Sequence, residues 1–156
     1  ATDLLVVANP VKSVDGLNTW KRVLQLTEVR KHWQDDPLAE RGFVDLMKYD
    51  SKRDELVPTP DLINGESEIL KGIAGNVKEW TGSWDAVWAN ITLRSQIKET
   101  LVNVAEKTKR MELLEAEFVI LANDEFHKIS DEVKSDIGAL DSKRIFFFHF
   151  FDKPFY

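Results

Sequence analysis

At 156 residues and 18.0 kDa the chain is long enough for about one domain, and its 43% hydrophobic fraction can fill a core. Lys and Arg number 21 against 27 Asp and Glu, a formal charge of −6, so an acidic chain without a basic tract is excluded from phosphate-driven nucleic-acid binding. With no cysteine, disulfide frameworks, thiolate metal sites and thiol nucleophiles are excluded too, and every apolar run falls short of the ~18 residues of a membrane span. The N-terminus lacks the basic region of a secretory signal, and its start at Ala1 reads as the trimmed end of something longer.

Residues 3–8 (DLLVVA) are short, branched and apolar, which suits a buried strand closed by Asn9 and Pro10. Ser13, Asp15 and Gly16 predict a turn. Residues 19–30 (TWKRVLQLTEVR) are ambiguous. Trp20, Val23, Leu24 and Val29 fit a helix face and Leu24 with Leu26 a strand, so periodicity alone slightly favours helix. A polar connection with Pro37 and Gly42 follows. Residues 43–58 then read as a hairpin: FVDLMKYD and ELVP around the polar turn Ser51, Lys52, Arg53, Asp54.

From Thr59 the pattern turns helical, with Thr59 or Asp61 as cap and Pro60 in the first turn. A first helix is predicted over 66–80, with Ile69, Leu70, Ile73 and Val77 on one face; Gly82 breaks it and Ser83 caps the next. Residues 84–137 contain neither Gly nor Pro. Leu93, Ile97, Leu101, Val104, Thr108 and Met111 recur every three or four residues, and Leu114, Phe118, Leu121, Ile129 and Val133 continue the stripe. One helix of that length does not suit a compact domain, so breaks are expected at 107–110 and at Asn123–Asp124. Residues 144–151 (RIFFFHFF) are extended in character. The expected fold class is α+β: short antiparallel strands over about 3–57, a helical bundle over about 61–137, and an extended aromatic tail. The division expected is 1–60 for the β-rich segment and 61–156 for the helical extension.

Chemistry-bearing motifs are scarce. The phosphate-cradling G-x-x-x-x-G-K-[ST] is absent, since Lys71-Gly72 runs in the wrong order and Asn76 follows Gly75; G-x-G-x-x-G, G-x-S-x-G and H-E-x-x-H are absent as well. Asp124, Glu125 and His127 could meet a metal from a turn, but a helix cap followed by surface residues explains them better. Asp35 and Asp36 before Pro37 read as a solvated turn, and Lys107, Lys109 and Arg110 as a solvated helix end. Two aromatic groups are the candidate packing or interface residues. Trp80, Trp84 and Trp88, four apart, fit the core of a helical hairpin or a partner stripe, with Gly82 arguing against continuity. Phe146, Phe148 and Phe150 share one strand face opposite Phe147, His149 and Phe151, so the tail either docks internally or contacts another subunit. No catalytic, cofactor or metal residue is assigned.

Taken together, residues 3–57 resemble the stretch that follows the ATP-binding core in secretion ATPases, the hexameric motors of type II and type IV secretion, type IV pili and the archaellum. The carriers are the D-hydrophobic-V-V strand at Asp3–Val7 and the R-R-V-x-x-hydrophobic-x-E-hydrophobic strand, here Lys21, Arg22, Val23, Leu26, Glu28 and Val29. The third is Y-D-x-x-x-D-x-L, here Tyr49, Asp50, Asp54 and Leu56. The longer linker and all-helical C-terminal part look closer to the archaeal branch. The resemblance covers about a third of the chain well, leaves the aromatic tail unplaced, and implies a strand over 19–30 against the periodicity.

It implies that the chain is the C-terminal, non-catalytic portion of such a motor. ATP and magnesium would belong to the parent protein, whose phosphate-binding loop, acidic residues and arginines precede this region, and the chain alone would be inactive. Its implied partners are its own ATPase core, neighbouring subunits of a homo-oligomer and a membrane platform protein; its implied place is the cytoplasm, at the inner face of the membrane. From a different class, a free-standing helical interaction or scaffold subunit explains the Trp-rich helices and the aromatic tail without a motor. An independent small enzyme has least support.

Overall fold

The computed structural model describes residues 2–13 and 15–137. The fold is α+β: an antiparallel four-stranded sheet followed by helices, in two compact units, Ala1–Trp84 and Asp85–Tyr156.

In the first unit, β1 (Leu4–Lys12), β2 (Thr19–Val29), β3 (Phe43–Asp50) and β4 (Glu55–Pro58) form a meander in chain order. Residues 19–29 are thus a strand, as the resemblance implies and against the raw periodicity. Leu26 and Thr27 pair with Met47 and Asp45, so β2 is locked by neighbours on both sides, which outweighs a weak helical pattern. Leu24, an extra residue opposite the Val7/Ala8 step, and Leu46, opposite the Leu26/Thr27 step, bulge the ladder and increase its twist. The 43–58 hairpin forms as expected, closing at Asp50 opposite Glu55.

β1 departs from expectation in two ways. It runs through Asn9 and Pro10, the latter opposite Lys21, because an edge strand tolerates a residue that cannot donate to the ladder. It is also not buried: Leu4, Leu5, Val6 and Val7 are all exposed, Val6 at 61%.

After β4, Thr59 caps the one-turn α1 (Pro60–Ile63), accepting a hydrogen bond from the Leu62 amide, and Pro60 occupies the first turn. α1 packs on β3, where Val44 and Leu46 are buried along with Leu62. The helix expected over 66–80 is shorter: α2 covers Glu68–Gly75 and residues beyond it form turns. Ile73, expected on the buried face, is exposed, and the buried residue is Ala74.

The second unit is a helical hairpin. α3 (Trp84–Thr108) ends where Lys109 takes a left-handed φ of 58° and the Arg110 amide reaches back to the Ala105 carbonyl, a C-terminal cap that realises the predicted break at 107–110. A 3-10 turn (Met111–Leu114) leads into α4 (Ala116–Ile137). The break expected at Asn123–Asp124 does not occur, and Asp124 is therefore no cap. Polar residues cost a helix interior only a few tenths of a kcal/mol. Asn123 instead ties the two helices, accepting from Arg94 Nη2 at 3.0 Å. The hairpin core is Leu93 and Ile97 of α3 with Phe126, Ile129 and Val133 of α4. The predicted stripe is right at Leu93, Ile97, Ile129 and Val133, but Val104, Met111 and Leu121 are exposed. The aromatic tail lies outside the described residues.

Candidate functional site

Thr27 and Glu28 are neighbours in β2, so their side chains leave opposite faces of the sheet, yet both are buried. On one face Glu28, with no exposed surface, meets the N-terminus of α2. Its Oε2 accepts from the Ser67 hydroxyl, which itself caps α2 by accepting from the Leu70 amide. Its Oε1 accepts from the Glu68 amide at 3.0 Å and from Arg30 Nε at 3.3 Å. Arg30 also donates from Nη2 to the Glu66 carbonyl at 2.6 Å. A carboxylate at the positive end of a helix is electrostatically favourable. Both oxygens are engaged by donors, so the group clamps β2 to α2. On the other face Asp45 accepts from Thr27, Gln25 and Lys48. Burial pushes its pKa up, and those three hydrogen bonds outweigh it and hold the carboxyl below its ordinary value.

A second cluster joins β2 to the β3–β4 turn. Arg22 grips Asp54 with two bonds, Nε to Oδ1 at 2.7 Å and Nη2 to Oδ2 at 2.8 Å, and Tyr49 donates its hydroxyl to Oδ1 at 2.7 Å. Asp54 holds a left-handed φ of 53°. The Arg22 guanidinium, then the Tyr49 hydroxyl, push its carboxyl far below the usual carboxylate range, while the hydrogen bond to Asp54 raises the Tyr49 phenol and the Arg22 guanidinium.

The three tryptophans are half-buried, but do not form one stripe. Trp80 sits in the turns after α2, Gly82 (φ 77°) intervenes, and only Trp84 and Trp88 share a helix, one turn apart on α3. Trp84 donates its indole N–H to the Ile63 carbonyl at 2.7 Å and its ring covers Gly65. The Trp80 indole nitrogen is buried without a hydrogen-bond partner among the described residues. Phe146, Phe148 and Phe150 lie outside the described residues, and so does His149.

Asp35 and Asp36 belong to a backbone-organised loop: Glu40 accepts from the amides of Gln34, Asp35 and Asp36 at 2.9–3.0 Å, which lowers its pKa, and Asp36 accepts from Leu38. His32 contacts the Glu40 carbonyl at 3.1 Å. His127 lies on α4 edge-on to Phe126, and Asp124, Glu125 and His127 converge on no ion site: among the described residues no three metal-ligating side chains cluster. Lys107 lies in the last turn of α3, and Arg110 pairs with Glu112 at 2.8 Å.

What remains is apolar surface. On the sheet it comprises the β1 residues with Trp20 and Val23, both exposed. On the hairpin it is an open groove between α3 and α4. Sequence reasoning missed the Glu28 clamp, whose only signal is an acidic residue ending an otherwise apolar-alternating strand. It also missed the groove, whose residues Val119 and Ile120 fall between the positions of the predicted stripe. No helix among the described residues is long and apolar enough to cross a membrane. No protein-family model, curated protein or solved structure matches the chain.

Proposed function

We propose that this chain is the C-terminal, non-catalytic portion of a hexameric secretion or pilus-assembly ATPase, coupling ATP hydrolysis elsewhere in the motor to protein export or filament assembly at the inner face of the membrane. The observation that carries the reading is the convergence of residues from separate resembling segments. Arg22 of the second strand motif holds Tyr49 and Asp54 of the third in one cluster, and Glu28 of the second anchors the first helix beyond them. Such interlocking makes the sheet and α2 a stiff body, suited to passing on movement by rigid-body contact. The apolar side chains of β1 supply a surface to pack on an ATPase core.

ATP and magnesium belong to that core, because the chain carries no phosphate-binding loop. Calorimetric titration of the isolated chain with magnesium-ATP should therefore give no binding heat, and the reading frame upstream of Ala1 should run into a G-x-x-x-x-G-K-[ST] loop. Tight ATP binding by the chain alone, or an unrelated upstream frame, overturns the proposal. The open hairpin groove favours a second reading, a helical scaffold subunit of a larger assembly, for which an upstream start codon and groove-mediated capture of another chain are the expected results.

A further inference from the structure

β1 forms one edge of the sheet: among the described residues it pairs with β2 alone. Two observations tell which of its backbone groups face outward. The Asp3 carbonyl accepts from the Val29 amide and the Ser13 amide donates to the Asn18 carbonyl, so odd-numbered residues turn their N–H and C=O toward β2. Pro10, which has no N–H, falls in the outward, even-numbered set. The extra residue at the bulge is Leu24, on β2, so this alternation runs unbroken along β1. Leu4, Val6 and Ala8 therefore present their amides and carbonyls at the open edge. We propose that two copies of this chain join there, β1 against β1, antiparallel and centred on Val6, independently of the motor reading.

The edge is complementary to itself. With Val6 opposite Val6, Leu4 faces Ala8 of the second copy, and the amides of Leu4, Val6 and Ala8 on each copy all find a carbonyl on the other. Pro10 falls past the last of these pairs, where its missing N–H costs nothing; a centre at Ala8 would set Pro10 opposite Val6 and lose bonds. Between the hydrogen-bonded pairs Leu5 meets Val7. At each end the Asp3 carboxylate, 3.5 Å from Lys31 Nζ, meets the Asn9 side-chain amide of the second copy. Leu4 to Val7 are exposed on both faces of the strand, so pairing covers apolar surface on either side of the new ladder. Natural sheets blunt an edge with charge, proline or shortness. The opposite edge is treated in this way: β4 is four residues long, opens on Glu55 and ends on Pro58. Residues 4–8 of β1 carry none of these devices.

Sedimentation velocity of the full chain tests the pairing. So short a strand pair sits below the ~1,200 Å² of a standard interface, so the 18.0 kDa monomer should give way to a particle of twice that mass between about 10 μM and about 1 mM. Val6→Pro removes an outward N–H that β2 does not use and should raise the dissociation constant about tenfold or more. Val6→Lys, which sets two cations opposite each other at the symmetry axis, should act in the same direction. Leu17→Lys, the same charge change at an exposed turn residue, should leave the constant unchanged, with circular dichroism checking the fold of all three. The natural chain has no cysteine, so a single one reports the register. Val6→Cys places two Cα atoms about 5.5 Å apart, within disulfide reach, whereas Ala8→Cys places them about 14 Å apart. Under copper–phenanthroline oxidation Val6→Cys should therefore cross-link about tenfold faster than Ala8→Cys. A chain that stays monomeric throughout the concentration range overturns the proposal and leaves the edge to a strand of another sequence. A dimer indifferent to both Val6 variants, or one that cross-links as fast through Ala8→Cys, overturns it as well.

Discussion

Glu28→Gln keeps the shape of the clamp and removes its charge. Three donors converge on the carboxylate: the Ser67 hydroxyl, the Glu68 amide and Arg30 Nε. A glutamine can keep its oxygen for the Glu68 amide and Arg30 and turn its amino group to the Ser67 hydroxyl, which then accepts, but Arg30, with only 10% of its side chain exposed, loses a buried counter-charge. A hydrogen bond to a charged group contributes about 1.5–3 kcal/mol, and breaking a buried pair by removing one partner costs about 3–5 kcal/mol. Because one accepting oxygen survives, we expect a loss of about 2–4 kcal/mol. With a urea dependence near 2 kcal/mol per molar, the unfolding midpoint falls by about 1–2 M. Tryptophan fluorescence during urea unfolding reads the midpoint, and hydrogen exchange at the Glu68 and Leu70 amides reads the α2 terminus itself. Replacing Glu28 and Arg30 together with methionine should restore much of the loss, since an apolar pair strands no charge. A change under about 1 kcal/mol, with both amides exchanging as in the unaltered protein, would refute the clamp.

Two glycines with similar left-handed backbones separate strain from collision. Gly16→Ala (φ 71°) meets nothing nearby and should cost only the backbone strain of about 1–2 kcal/mol. Gly65→Ala (φ 74°) would put a methyl carbon 2.5 Å from the Trp84 ring, so its thermal midpoint should drop further and Trp84 emission should shift; equal drops would refute the packing. Asp54 has a depressed folded pKa, so its contribution is present above the ordinary carboxylate pKa of about 4 and is lost as pH falls toward the depressed folded value. Asp54→Asn should therefore be less stable than the natural chain at neutral pH, with the gap closing below about pH 4 in parallel melts. A gap constant down to pH 2 would contradict the Arg22–Asp54 pairing.

Local chemistry made the hairpin at 43–58 and the Thr59–Pro60 helix start readable, because turn and cap preferences act within a few residues. The hairpin core at Leu93, Ile97, Ile129 and Val133 was readable from spacing for the same reason. Burial of β1 was not, since a run of branched apolar residues looks the same on an open edge as in a sheet interior. The run at 19–30 also misleads, because its partners lie in other strands. The Asn123–Asp124 helix interior misleads as well, since what holds it is Arg94 on the other helix. Glu28 is the extreme case: its donors are Arg30 and residues 67 and 68, and nothing in a single sequence links positions so far apart.

The meander pairs every strand only with its sequence neighbours, so the sheet is rich in short-range closures of the kind that form quickly. The clamp is different, since Glu28 must wait for Ser67 and the α2 terminus to arrive across two further strands and α1. Docking of α2 therefore closes a longer loop than any strand pairing in the sheet, so its contacts are expected to form after the ladder. Weakening the clamp is then expected to speed unfolding more than it slows folding, which stopped-flow rates of Glu28→Gln would read.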